Sequence, residues 1–357
     1  MLELFMTNPA FNLTSLTAAI LRQPFMPGRI GELGLYTPRR LSTLTTMIEV
    51  KNNRLALIPS AQRGTPPAVN VEDLRQLVPF IIPHFPLSDT IMADEVQGVR
   101  AFGTEDQLEA VQTKVDEHLA SMGRKHDITL EYLRLGGVKG IVVTRVDPNT
   151  GAPLVSIDLF AAFGVARQPV QDWAIGMPGG GWGTGDEATG VSYAGILTQY
   201  ILDLMRSMAN EAGAMPIGGI HGICGSDFFD AFVKHPEVRQ TYLAQPEAAR
   251  LRDPLWMRQV NFRELVLEEY RGRIGATVFV QPNECHFFPV GVPELFLEAY
   301  APADYIETVN TIALPRYAKQ EVMPFQKGVM LETQQNVLPI CTIPRLLFTA
   351  QVVEHVP

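Results

Sequence analysis

Three cysteines, a handful of histidines and their acidic neighbours are the residues with which this chain could do covalent chemistry. His221, Cys224 and Asp227 fall within seven residues, the types needed for a thiol nucleophile, its base and a carboxylate. The same stretch also reads as a strand end running into a helix capped by Ser226 or Asp227, with the cysteine a small buried apolar group. Cys285 and His286 are adjacent, and neighbours on a strand point to opposite faces, so the pair is not expected to share a metal. Gly179 to Gly185, with Trp182 inside it, has the glycine density of a phosphate cradle. It lacks the Lys-Ser/Thr step such a loop uses and does not clearly join a strand to a helix, so a surface loop is expected. No HExxH, GxSxG or paired CxxC occurs. These residues yield no assigned catalytic, cofactor-binding or metal-ligating position. A cysteine hydrolase centred on Cys224 stands as the enzymatic alternative, to be tested by activity of isolated subunits and its loss in Cys224→Ala.

The elements that would position such residues are those of an α+β chain. Its 357 residues allow two domains, or one large domain with arms. Hydrophobic residues make up 46%, enough for a real core, and Gly 29 with Pro 27 favour turns and extended arms. A net charge of −9 argues against a general nucleic-acid binder, because phosphates are gripped by clustered Lys and Arg. Three widely spaced cysteines, Cys224, Cys285 and Cys341, suit a reducing compartment better than a disulfide framework. Glu3 and the absence of a basic n-region predict no signal peptide, and no apolar run approaches the ~18 residues of a spanning helix.

Along the chain, Leu13, Leu16, Ile20 and Leu21 predict a short amphipathic helix in an arm over 1–30, closed by Pro24 and Pro27. So short a helix must dock, on its own subunit or on a neighbour. Residues 31–80 read as a hairpin: a strand from Thr43 to Val50, a polar tip Lys51-Asn52-Asn53-Arg54, and a return strand through Leu55, Leu57 and Ile58. An isolated hairpin is marginal in water, so it is expected to lie on a partner. Thr104 and Gln107 form a capping box, and Leu108, Val111, Val115, Leu119 and Met122 make one stripe of a helix over 104–135 that ends at Gly136-Gly137, with Gly123 a candidate kink. At about 1.5 Å per residue that span is about 48 Å long. The stripe covers too few heptads for a coiled coil. A strand at 140–144 follows.

The block 158–307 predicts a mixed domain: a loop over 170–185, a helix over 196–208, a strand over 217–223, a helix to Val233, and strands at 266–270 and 276–280. After it come a strand over 309–314, a loop over 321–328, and a strand over 329–343 broken by Pro339.

Several strings in this order are similar to those of the phage major capsid protein E family, with its Hong Kong 97-like fold. They are Phe11-Asn12-Leu13-Thr14-Ser15-Leu16-Thr17, Arg63-Gly64-Thr65-Pro66-Pro67, Asp94-Glu95-Val96-Gln97-Gly98-Val99-Arg100, Cys224-Gly225-Ser226-Asp227-Phe228-Phe229, Glu268-Glu269-Tyr270-Arg271-Gly272, Thr308-Val309-Asn310-Thr311, and Lys327-Gly328-Val329-Met330-Leu331-Glu332-Thr333-Gln334 followed by Leu338-Pro339 and Pro344. The resemblance implies an N-arm over 1–30, an extended E-loop over 31–80, and a P-domain over 81–157 whose spine helix is 104–135. It further implies an A-domain over 158–307, and C-terminal P-domain strands over 308–357 with a P-loop at 321–328, the last residues returning toward the A-domain. It implies a shell of pentamers and hexamers closing an icosahedral head around double-stranded DNA, held without sequence specificity. Scaffolding, decoration and portal proteins are implied partners. No membrane and no cofactor is expected, and the expected location is the virion, after assembly in the host cytoplasm. Since the chain opens at Met1 on the arm itself, no cleaved N-terminal scaffold segment is expected. An encapsulin-like nanocompartment shell and a portal or tail component are the alternatives.

Contact residues between subunits are expected in three places. Residues 29–75 carry seven Lys and Arg against four Asp and Glu, while 104–127 carry six acids against three bases. Arg39, Arg40, Lys51, Asn52, Asn53 and Arg54 would therefore cross Glu105, Asp106, Glu109 and Asp116 of a neighbour's helix, charge setting register more than affinity. Met323 and Phe325 are expected at three-fold or quasi-three-fold contacts, or buried within the subunit. Lys51 is expected to be a solvated turn lysine; the resemblance also raises an isopeptide bond from Lys51 to Asn310 or Asn336 of a neighbour.

Overall fold

The computed structural model describes residues 13–22, 28–51, 75–92, 95, 107–147, 149–176, 195–213, 215–243, 259–275 and 277–354. The chain forms two compact units: 1–50 with 77–134 and 296–340, and 51–76 with 135–295 and 341–357.

The first unit is built on one long helix. The stripe Val115, Leu119 and Met122 lies at 4-3 spacing on α3 (Gln107–Lys139), and all three side chains are buried. They pack with Leu16 and Ile20 of α1 (Leu13–Arg22), Ile91 of β4 (His84–Met92), Ala318 of β15 (Tyr317–Val322), and Val329 and Leu331 of β16 (Gly328–Cys341). The arm helix thus docks on its own subunit, where the Thr17 hydroxyl donates to the Ala318 carbonyl at 3.3 Å and accepts its N–H at 3.1 Å. The five-stranded sheet beneath has the order β1-β14-β16-β15, with β4 also on β16; β1 is Tyr36–Arg40 and β14 is Phe296–Tyr300.

The second unit carries a six-stranded sheet, β7-β17-β13-β8-β10-β9. Its strands are β7 (Gln171–Gly176), β8 (Gly219–Cys224), β9 (Gln259–Phe262), β10 (Leu265–Glu269), β13 (Glu284–Val290) and β17 (Phe348–Glu354). Trp173, fully buried, stacks between Tyr200 and Phe287 at 5.5 and 5.3 Å, with Phe228 at 5.6 Å. The helices are α4 (Leu159–Phe163), α5 (Ile196–Ala212), α6 (Ser226–Lys234) and α7 (Pro236–Leu243).

Several expectations need correction. The long helix passes through Gly123 and Gly136-Gly137 and ends at Lys139. A glycine lowers helix propensity by about 1 kcal/mol without ending a packed helix; Gly140, at φ 76° with its N–H on the Gly137 carbonyl, ends it. Thr104 of the capping box lies outside the described residues. The described partner of β2 (Thr45–Lys51) is β3 (Arg75–Ile81), and Lys51 closes a strand rather than opening a tip; the expected return strand Leu55–Ile58 lies outside the described residues. Residues 52–74 lie outside the described residues, as does 177–194, which holds Gly179 to Gly185. Gln171–Gly176, read as loop, is a strand. Residues 309–314 are not a strand: Asn310 takes φ 58°, and the Thr308 and Thr311 hydroxyls bond to the carbonyls of Ala303, Tyr305 and Thr308. The expected 321–328 loop shrinks to Met323–Lys327 between β15 and β16. β16 runs unbroken through Pro339. Asn336 and Thr342 bond toward β14 and Leu295, so by alternation Pro339 faces the other side, where β4 pairing has ended at Asn336. The N-cap of α6 is Gly225, not Ser226 or Asp227; the N–H groups of Asp227 and Phe228 donate to the Pro282 carbonyl. Residues 296–307, read with the second block, belong to the first unit.

Candidate assembly surfaces

The Cys224 constellation dissolves on the sheet. His221 and Cys224 lie three apart on β8, so they face opposite sides. Cys224 Sγ–H donates to the Glu268 carbonyl at 3.3 Å, with Cys285 directly across in register. His221 instead stacks on Phe288 at 5.4 Å and has Glu268 at 3.4 Å. Burial pushes the Cys285 thiol well up and the Cys341 thiol up to about 12, the reverse of what a thiolate nucleophile needs. Among the described residues no group of three potential ligands could hold a metal.

The long helix holds the first unit together by polar ties to successive elements. His118 meets Asp89 of β4 at 2.8 Å; burial raises the Asp89 carboxyl, but this contact together with the Thr90 N–H and the Lys125 charge leaves it lowered. His126 meets the Thr333 hydroxyl of β16 at 2.9 Å, Asp127 pairs with buried Arg316, and Arg134 grips Glu298 of β14 at 2.9 and 3.2 Å. Glu131 accepts the N–H groups of Ile30 and Gly31, at 2.7 and 3.1 Å, from the first turn of α2 (Arg29–Glu32). A Cβ on Gly28 would lie 2.2 Å from the Glu131 carboxyl carbon, so this approach needs glycine.

These ties change the expected charge match. Arg39 and Arg40 sit exposed on β1, which pairs in parallel with β14, and not on the hairpin. Arg29 and Glu32 belong to α2. The hairpin region is left with four bases against three acids. Asp127 is spent within its own subunit. Asp116 is exposed on α3; Glu109 is on the same helix, its side chain outside the described set, as is that of Lys51. Asn52, Asn53, Arg54, Glu105 and Asp106 lie outside the described residues. Asn336 is buried, with Nδ2 donating to the Pro302 carbonyl at 2.8 Å, so it is closed to an isopeptide bond; Asn310 is exposed.

The same unit also exposes large apolar side chains. On β2–β3, Thr46, Ile48, Val78 and Phe80 face inward, while Met47, Leu77 and Ile81 (74% exposed) cover the other face, with Leu44 beside them. Ile306 (90% exposed), Val309 and Ile312 project from one loop. Phe325 is 91% exposed at φ 61°, while Met323 is half-buried. Sequence reading reached Phe325 but missed Met47, Leu77 and Ile81; their signal was a strand apolar on both faces outside any large sheet.

A family model described as phage major capsid protein E matches residues 12–352. The major capsid protein of Pseudomonas phage KPP10 is 26% identical over 354 residues, covering 94% of this chain and 95% of that protein. The major capsid protein of Salmonella phage Felix O1 is 24% identical, with the same coverage. The crystal structure of a prophage capsid protein from E. coli CFT073 superposes with a TM-score of 0.56 at 15% identity, covering 96% of this chain and 99% of that one. The chain belongs to the phage major capsid protein E family, whose members are structural subunits of the phage head, and it has the Hong Kong 97-like α+β fold.

Proposed function

We propose that this major capsid protein closes an icosahedral head by self-assembly into pentamers and hexamers around double-stranded DNA. In this reading the five-stranded sheet with α3 is the P-domain, the six-stranded sheet is the A-domain, and the hairpin β2–β3 is the E-loop. The subunit is assembled in the host cytoplasm with scaffolding, decoration and portal proteins, and it carries no catalytic site.

The supporting observation is the hairpin. A two-stranded ribbon is marginal alone, and this one is apolar on both faces, with Met47, Leu77 and Ile81 open to water on the outer face. A neighbouring copy would cover that face, as obligate interfaces of roughly 2,000–5,000 Å² do. Apolar burial then supplies affinity, and Lys51 and Asn52 to Arg54 against Glu105, Asp106, Glu109 and Asp116 set register. Arg39 and Arg40 form a separate contact on the β1 edge, and Met323 and Phe325 one at three-fold axes.

Expression of the full chain followed by negative-stain imaging tests this. Closed shells are expected. Monomers, open rings or tubes would overturn it, and shells filled with a cargo enzyme rather than DNA during infection would move the assignment to a nanocompartment.

A further inference from the structure

Pairing of β15 with β16 sorts this hairpin into two faces. Ala318, Val329 and Leu331 point into the core, so Lys319, Glu321, Met330 and Glu332 point outward by the two-residue alternation. Tyr305 completes a pocket of about 440 Å³ on that outer face. Its hydroxyl donates to Glu332 Oε1 at 3.2 Å, and burial and the Glu332 carboxylate push the phenol well up, so it stays a donor. Lys319 is held by Glu307 at 2.7 and 3.0 Å and lies 5.1 Å from the Tyr305 ring. With that lysine neutralised, the pocket is apolar at Met330 and Tyr305 and acidic at Glu321 and Glu332.

The tip of the same hairpin has the opposite character. Phe325 is held in the left-handed region at φ 61°, ψ 14°, and at 91% exposure it is not seated in its own subunit's pocket. A bulky residue there is uncommon, and such strain gathers where a contact uses it. Lys327 Nζ stands 5.9 Å from its ring, and 323–328 contain no acid. Tip and pocket thus match in both apolar and charged parts.

We propose that Phe325 and Lys327 of one copy seat in the outer-face pocket of a second copy. The ring lies on Met330 and Tyr305, and the ammonium lies between Glu321 and Glu332. This rests on the reading of the chain as a self-assembling subunit. Knob and pocket are different surfaces, so the contact is head-to-tail and closes rings of copies rather than symmetric pairs. Aromatic contact with a thioether and a phenol ring, rimmed by opposite charge, gives it specificity.

The test co-assembles full-length Phe325→Cys and Glu321→Cys chains into particles and oxidises them mildly. The native cysteines among the described residues are buried, which keeps background low. Mixed particles are expected to yield linked dimers on a non-reducing gel, and particles of either variant alone are not. Links in Phe325→Cys particles alone, or none in mixed particles, overturn the inference. Because those particles have formed, that failure is separate from failure of the assembly reading, in which wild-type chain forms no shells. As a second measurement, Lys327→Glu is expected to raise the concentration needed for assembly about threefold, and adding Glu321→Lys in the same chain to restore it. No change in the single variant, or no restoration in the double, counts against it.

Discussion

The two sheets are held by different physics. The six-stranded sheet is stabilised by an aromatic cluster, Trp173 against Tyr200, Phe228 and Phe287, with Phe232 edge-on to Phe262 at 6.0 Å. The five-stranded sheet has an aliphatic core, and its helix is tied to the strands by buried charges and histidines. Burial of apolar surface is non-directional, whereas a charge-assisted hydrogen bond fixes a distance and an angle. The unit with fixed ties also carries Met47, Ile81, Ile306 and Phe325 open to water. A unit that must meet neighbours in one geometry gains from polar ties, which penalise any slip of helix against sheet.

The largest expected effects separate the two designs. Trp173→Ala should destabilise the unassembled chain by about 3–5 kcal/mol in urea, because the cavity cannot collapse among rings. Asp127→Ala should cost a similar ~3–5 kcal/mol by leaving the buried Arg316 charge without the Asp127 carboxylate. The distinction lies in rescue. Replacing both members, Asp127→Leu with Arg316→Met, should recover most of the loss, since a buried pair is often near neutral against apolar residues of similar size. A double variant as unstable as Asp127→Ala would mean the pair is more than a mutually cancelling tie.

Acid should weaken both units, through one histidine each. Burial first, and then the Arg316 charge, lowers His126 to about 4; burial lowers His286 to about 4 despite Glu284. Each folded value lies below the ordinary 6.5, so the folded chain holds fewer protons than the unfolded one between those limits. The contribution is whole above pH 6.5 and shrinks as pH falls toward about 4, by roughly 1.4 kcal/mol per pH unit for each histidine. Urea titrations across that window should show the slope halved in His126→Gln and in His286→Gln separately. A slope unchanged by either would mean carboxylates carry the acid sensitivity.

What was legible in the sequence follows from the range of each interaction. The stripe Val115–Leu119–Met122 and the arm residues Leu16 and Ile20 are periodic within one element, so their burial could be read. The return strand of the hairpin could not, because β2 finds its partner across more than twenty residues and local strand propensity favoured Leu55–Ile58. Asp127 looked like an exposed acid of a helix face; its partner Arg316 is 189 residues away. Arg39 and Arg40 joined the hairpin's charge for the same reason, since their real partner strand starts at Phe296. Phe325 was found because a tip between two strands is a local feature, whereas its pocket needs Tyr305 brought beside β15 and β16.

The smallest effect probes a single tie. Glu131→Ala removes the acceptor for the Ile30 and Gly31 N–H groups and should cost about 1–2 kcal/mol, the scale of a lost helix cap. Glu131→Gln keeps one acceptor oxygen and should lose less. Gly28→Ala alone should also destabilise, because its methyl would lie 2.2 Å from the Glu131 carboxyl carbon. Combined with Glu131→Ala, that methyl meets no carboxylate, so the two losses should fall well short of adding. Full additivity would show that the arm turn is held elsewhere, and that this tie does not set the angle at which α2 meets the long helix.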